Sequence, residues 1–238
     1  MKKAIVIGAT SGIGKGIAQL LSVNNYKVGI TGRRTELLLA LEKENPDTFI
    51  PKTFDITNTT TIPQNLEELV NALGGLDLLI LSSGTGDLNE YLDFAIEQRT
   101  IDTNVTGFTN IVDWAFNYFK KQKSGHLVAI SSIAGLRGGR QAPAYNATKA
   151  YQINYLEALR QKAHNLKIAL MVTDIRPGFV DTDMAKGEGK FWVVTVNKAS
   201  QQIFNAIQQK KKVAYISKRW QLIAILLKLV PRILYDRI

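Results

Sequence analysis

The sequence predicts one doubly wound α/β domain, a Rossmann-like parallel sheet of about seven strands with helices on both faces. Three observations carry this. Short apolar runs alternate with stretches of helical periodicity along nearly the whole chain. The apolar run Leu76–Leu81 (LDLLIL), closed by Ser82-Ser83-Gly84, suits a strand buried on both faces. No linker, repeat or low-complexity segment divides the 238 residues, a length one large α/β domain can fill.

In chain order, the β-branched run Ala4–Ile7 precedes a glycine-rich turn and a helix over about Ile13–Asn24. Lys27–Thr31 predicts the second strand and Glu36–Glu44 the second helix. Ile50–Phe54 is a weaker strand, Leu66–Leu73 a helix, and Leu76–Leu81 the fourth strand. Phe108, Ile111, Val112, Ala115, Phe116 and Phe119 recur at helical spacing within one long helix expected over Tyr91–Lys121. Strand His126–Ile130, helix Ala144–His164, strand Ile168–Thr173 and a short strand Val213–Ile216 complete the pattern. The catalytic unit is expected over residues 1–217, with 218–238 as a basic amphipathic appendage.

Composition narrows the function classes. The net charge of +10 invites a nucleic-acid reading. Residues 210–238, however, hold eight basic side chains and one acidic, leaving 22 basic against 19 acidic in the other 209. The body is nearly neutral and shows no basic stripe able to follow a phosphate backbone, so nucleic acid is set aside. With no cysteine there is no disulfide framework, which fits a reducing cytoplasmic setting. The apolar run before Gly8 is too short for a signal segment. His126 and His164 stand at a strand start and near a helix end, with no carboxylate partners at ligand spacing, so no metal site is expected.

The first strand runs into Gly8-Ala9-Thr10-Ser11-Gly12-Ile13-Gly14. Glycines belong where the backbone must turn sharply and approach a pyrophosphate without a Cβ in the way. The helix that follows offers unpaired N–H groups and the positive end of its dipole to phosphate. At the end of the second strand an enzyme reading the ribose hydroxyls of NAD carries Asp or Glu. Here the residues are Thr31-Gly32-Arg33-Arg34. Guanidinium groups attract a 2′-phosphate that a carboxylate would repel, so NADP(H) is expected, with Arg33 favoured over Arg34 because it comes first.

A second pattern, Tyr145-Asn146-Ala147-Thr148-Lys149, places Tyr and Lys four residues apart on one helix face. A free phenol titrates near ~10, and a neighbouring ammonium lowers that value toward useful acid–base range. Such a pair alone is often only a surface contact.

The GxxxGxG turn and the YxxxK helix together resemble the short-chain dehydrogenase/reductase family, over Lys3 to about Met184. The resemblance implies an oxidoreductase that interconverts a carbonyl and an alcohol by hydride transfer, with Tyr145 as acid and base. Ser132, thirteen residues before Tyr145, matches the family serine and is preferred on spacing to its neighbour Ser131. Lys149 binds the ribose in that scheme, and Asn104 holds a water that links the lysine to solvent. Asp55 and Ile56 match the adenine-binding position. Pro177, Gly178, Val180 and Thr182 match the loop that contacts the nicotinamide. The family's Asn-Asn-Ala-Gly is replaced by Leu81-Ser82-Ser83-Gly84, where Ser83 and Gly84 still supply hydrogen bonding and close approach. Homodimers or homotetramers are implied as well. Rival readings are an epimerase or dehydratase of the same fold, and a non-catalytic NADP-binding or membrane-associated regulatory protein.

Residues 218–235 form a broadly apolar helix with a narrow polar stripe at Gln221, Lys228 and Arg232. The run is too short to span a bilayer, and Pro231 interrupts it. Peripheral membrane contact is one use of such a segment. Packing as a cleft lid or an oligomer contact is the favoured one, since apolar helix faces mostly bury against protein.

Overall fold

In the computed structural model, which describes residues 1–185 and 191–237, seven strands form one sheet. They are β1 (Lys2–Ile7), β2 (Tyr26–Gly32), β3 (Phe49–Thr53), β4 (Leu78–Leu81), β5 (Ser124–Ile130), β6 (Ala169–Pro177) and β7 (Val213–Ile216). All pairings are parallel, in the order β3-β2-β1-β4-β5-β6-β7. The helices are α1 (Gly12–Ser22), α2 (Thr35–Glu44), α3 (Ile62–Leu73), α4 (Phe94–Ile101), α5 (Phe108–Gln122), α6 (Pro143–Asn165), α7 (Val196–Gln208), α8 (Arg219–Leu229) and α9 (Arg232–Tyr235).

Strand alternation builds two cores. Ala4 and Val6 of β1 join one, and Ile5 and Ile7 join the other. The first core is closed by Ile17 and Leu21 of α1, Leu38 and Leu41 of α2, and Ile203 and Ile207 of α7. The second takes Leu66 and Leu69 of α3, Ile111 and Phe116 of α5, and Leu156 and Leu159 of α6. Each such buried apolar side chain contributes about 1.5–3 kcal/mol, so both faces of the sheet are anchored. The strand order reverses between β1 and β4, and parallel sheets of this kind open a ligand crevice at the carboxyl ends beside such a switch.

Several elements depart from the sequence pattern. The helix expected over Tyr91–Lys121 begins only at Phe94, where Asp93 accepts from Ala95 N at 2.8 Å, and carries a π-helical turn at Asp102–Gly107. The wide turn lets the side chain of Asn104 bond the loop after β4, and a Cβ on Gly107 would lie 2.5 Å from the carbonyl oxygen of Ile56. β6 extends to Pro177 because β5 and β7 pair with it on both sides. α7 was not anticipated, and α3 starts at Ile62 with Pro63 in its first turn. Pro231 divides the C-terminal helix into α8 and α9. Among the described residues no helix is long and apolar enough to cross a membrane.

Candidate active site

The carboxyl ends of the strands open on one cleft of about 1440 Å³. Gly8 ends β1 with φ +87°, and its N–H and that of Ala9 donate to Thr31 O at 3.1 and 2.8 Å. A Cβ on Gly8 would lie 2.6 Å from Ser83 Oγ, and one on Gly14 would lie 2.0 Å from Gly8 O. Gly8 therefore shapes the groove, while Gly14 sits behind it and lets α1 pack on the turn. Thr10, Ser11, Gly12 and Ile13 line the cleft directly. Ser11 precedes α1 without a side-chain cap on its first turn.

The two arginines divide their contacts. Arg34 donates from Nη2 to Thr10 Oγ1 at 2.8 Å and to Ser11 Oγ at 2.9 Å, which pins the guanidinium on the glycine turn. Arg33 is largely exposed and approaches Asp55 at 3.7 Å. Asp55 accepts from Thr57 N and Oγ1, each at 2.9 Å, and Ile56 lies beside it in the cleft wall. Position along the chain favoured Arg33, yet Arg34 is the one fixed over the turn.

Opposite stand Ser132, Tyr145 and Lys149, which all line the cleft. Ser132 takes extended backbone after β5, caps a short 3-10 turn (Ile133–Leu136), and accepts from Ala134 N at 3.1 Å. The neighbouring Ser131 turns its hydroxyl away, donating to Asp174 and to Ile175 O. Burial raises the Tyr145 phenol above its ordinary value, partly offset by a hydrogen bond with Ser132. The ammonium does not reverse this, because Lys149 Nζ donates to Ile130 O at 3.1 Å and to Gln152 Oε1 at 3.0 Å. It lies 5.8 Å from the centroid of the tyrosine ring. Burial pushes Lys149 itself down to about 8, against the opposing charge of Asp174.

Asn104 is fully buried behind the cleft wall. Its side chain accepts from Thr85 N at 3.0 Å and donates to Thr85 O at 2.7 Å and Thr148 Oγ1 at 3.1 Å, clamping the loop after β4 to α6. Its carbonyl accepts from Gln152 Nε2 at 2.9 Å. A carboxamide thus bridges Lys149 to Asn104, along the line where the resemblance implies a water. Gly84 keeps the close approach: a Cβ there would lie 3.3 Å from Asn104 Oδ1 and 3.4 Å from Lys149 Nζ. Sequence reasoning missed Gln152. Its spacing was the available signal, since Tyr145, Thr148, Lys149 and Gln152 follow i, i+3, i+4, i+7 on one helix face.

The loop after β6 closes the fourth side. Gly178 N donates to Ile216 O at 2.6 Å, and Val180 bridges to Val194. Thr182 stands over the glycine turn, where a Cβ on Gly12 would meet its methyl at 3.2 Å. Pro177, Gly178, Val180 and Thr182 all line the cleft. Beneath lies a second missed group, the buried Asp174–Arg176 pair at 2.6 Å, with Arg176 also donating to Tyr215 OH at 3.1 Å. Over the top, Trp220 is packed by Phe179, Phe191 and Trp192, and Ile223, Leu227 and Tyr235 complete the wall. Arg137 ties this segment down through Leu227 O at 3.2 Å and Val230 O at 3.0 Å.

The model of the short chain dehydrogenase family matches residues 2–191, four-fifths of the chain. The chain belongs to the short-chain dehydrogenase family. An uncharacterized oxidoreductase of Myxococcus xanthus is 34% identical over 188 residues, covering 77% of this chain and 74% of the relative. One from Staphylococcus epidermidis is 30% identical over 190 residues, covering 78% and 81%. A short-chain dehydrogenase structure from Streptomyces avermitilis superposes with TM-score 0.83 at 22% identity, over 95% of this chain and 91% of that one. ElxO, solved with NADP bound, superposes with TM-score 0.78 at 23% identity, over 91% and 97%. Membership makes this short-chain dehydrogenase an oxidoreductase, and the solved structures share its fold. The family match ends at residue 191, before α7, β7, α8 and α9.

Proposed function

We propose that the protein is an NADP(H)-dependent oxidoreductase that interconverts a carbonyl and an alcohol. The observation that carries this reading is the convergence of Ser132, Tyr145 and Lys149 on a cleft whose far end is the glycine turn with Arg34 pinned upon it. The residues fit the cofactor. The cleft exceeds the ~300–1,000 Å³ of an ordinary small-ligand pocket, leaving room for a dinucleotide and a substrate together. Gly8, at φ +87°, lets the turn pass within contact of Ser83, which a Cβ would meet at 2.6 Å, and the two line the cleft together. No carboxylate follows β2 until Glu36.

Residues Gly8–Gly14 and the first turn of α1 would hold the pyrophosphate. Arg34 and Arg33 would take the 2′-phosphate, Asp55 and Ile56 the adenine, and Lys149 the ribose near the nicotinamide. Ser83, Gly84 and the loop Pro177–Thr182 would flank the nicotinamide. NADP(H), when bound, supplies or accepts the hydride. Ser132 orients the substrate oxygen, and Tyr145 gives it a proton in reduction or removes one in oxidation. Lys149, charged and held by Ile130 O and Gln152, favours the phenolate as that proton leaves. Asn104 positions the loop after β4 against α6 and, through Gln152, the lysine.

Residues 218–238 form a distinct appendage to the catalytic unit of residues 1–217, with α8 as a wall of the substrate site. Phe179, Phe191, Trp220, Ile223 and Leu227 make that wall apolar, which suits carbonyl compounds with a sizeable apolar body. NADPH oxidation is to be measured against a panel of aldehydes, ketones, quinones and acyl-thioester ketones. Tyr145→Phe removes only the phenolic proton donor, so turnover should vanish while NADPH binding stays near normal. A variant keeping more than about a tenth of the wild-type rate would overturn the assignment.

A further inference from the structure

The helix α8 is apolar on two opposite faces. Trp220 and Ala224 are buried, and Ile223 and Leu227 line the cleft. At about 100° per residue these four share one arc of the helix. Leu222, Ile225, Leu226 and Leu229 share the opposite arc and are 61%, 50%, 56% and 72% exposed. Ile233 and Leu234 of α9 add two more exposed apolar side chains. The wall of the cleft therefore accounts for one apolar face of α8 and leaves the second in water.

Charge is arranged around that second face. Arg219 borders the outer arc on one side, and Lys228 with Gln221 borders it on the other, all three exposed. Lys218, Arg232 and Arg237 stand exposed toward the two ends of the segment. Residues 210–238 hold eight basic side chains against Asp236 alone, while the other 209 residues hold 22 basic against 19 acidic. The positive charge of the molecule is thus concentrated where the uncovered apolar stripe lies. Glu90 and Asp93, the exposed acids of the segment before α4, are two against those eight. Trp192, also exposed, adjoins the border at Arg219, whose guanidinium lies 6.0 Å from its ring centroid.

We propose that the outer face of α8 and α9 docks in the interface of a bilayer bearing anionic headgroups. An apolar stripe rimmed by cations and an aromatic ring fits such a surface, which offers apolar chains below and negative charge at the rim. The basic side chains at the borders can lay their methylene stems along the stripe and carry their charges to the headgroup phosphates. The same face of a second copy would set cations against cations. The segment lies on the bilayer and does not cross it: among the described residues no helix is long and apolar enough, and Pro231 separates α8 from α9. Because the inner face of α8 walls the cleft, docking sets the cleft one helix diameter, ~10 Å, from the lipid. The proposal does not depend on which residues perform the chemistry.

The test is co-sedimentation of the full chain with vesicles of phosphatidylcholine alone and of phosphatidylcholine mixed with phosphatidylglycerol. Wild type should bind the anionic vesicles, lose that binding as salt rises, and bind the neutral ones roughly tenfold or more weakly. Lys228→Glu/Arg232→Glu should lower partitioning onto the anionic vesicles roughly thirtyfold or more. Leu226→Gln/Leu229→Gln leaves every charge in place and should lower it roughly tenfold or more. Circular dichroism and the thermal midpoint report that each variant is folded, whether or not it binds NADPH. Wild type that stays in the supernatant with anionic vesicles at low salt would overturn the proposal. Equal binding to neutral vesicles, or binding unchanged by either pair of substitutions, would do the same. So would a lipid-free dimer, seen by light scattering, that Leu226→Gln/Leu229→Gln dissociates, since the stripe would then belong to a second copy.

Discussion

The cofactor half and the substrate half of the cleft are built in different ways. Around β1, α1 and β2, the groups that shape the site lie within 27 residues of chain, from Gly8 to Arg34, and bond one another directly. Around β5, β6 and α8, the wall joins Phe179 and Phe191 to Trp220, and Arg137 to Leu227 and Val230. The first half depends on backbone geometry that a short motif encodes. The second depends on packing between distant segments, so its chemistry can change with the tail while the first half stays intact.

The strongest way to break this comparison is Trp220→Ala. Removing a buried tryptophan from between three aromatic rings should cost about 3–5 kcal/mol and shift the denaturation midpoint accordingly. KM for an apolar carbonyl should rise well beyond any change in NADPH affinity, and an equal loss of both would show that the halves are not separable. Trp220→Phe should be far milder, because the indole Nε1 has no hydrogen-bond partner to lose among the described residues.

A pH response belongs to the substrate half of the sheet. His126 on β5 contacts Thr173 Oγ1 at 2.8 Å, and burial lowers its pKa from 6.5 to about 4. The native histidine is then neutral while the unfolded one takes up a proton below about 6.5, so stability falls as pH drops from there toward about 4. At pH 5 the loss should reach roughly 2 kcal/mol relative to pH 8 in urea denaturation. His126→Asn should flatten that part of the profile, and a profile identical to wild type would remove His126 as its source.

The smallest effect tests the cofactor half. Arg34→Ala should weaken NADPH about tenfold, the loss of a charge-assisted contact, and leave NADH and substrate KM nearly unchanged. Fluorescence titration of both cofactors reads this directly. If Arg33→Ala has the larger effect, the outer arginine carries the phosphate and the pinned one only braces the turn.

Much of the site was legible because its signals are local. A glycine turn must follow a strand and open a helix, and Tyr145 and Lys149 meet because four residues make about one helical turn. The spacing from Ser132 to Tyr145 brings both to one cleft for the same reason, since a strand end, a short turn and a helix start leave little freedom. Gln152 escaped notice although it continues that helix face, because its role exists only where α6 crosses the π-helical turn carrying Asn104. The Asp174–Arg176 pair was equally hidden, for nothing in a strand sequence says that two charges two residues apart will be buried together.

By itself, then, the chain order of apolar runs and turns determined a parallel doubly wound sheet, the glycine groove, the absence of an acid after β2 and the serine–tyrosine–lysine set. Those follow from backbone sterics and periodicity, which act over a few residues. Tertiary structure decided which arginine lies on the turn, what holds Lys149, and which face of α8 is covered. The last case shows the reason most plainly. Leu222 and Ile223 are neighbours of nearly equal hydropathy, and only the position of the cleft under α8 makes one a wall and leaves the other in water.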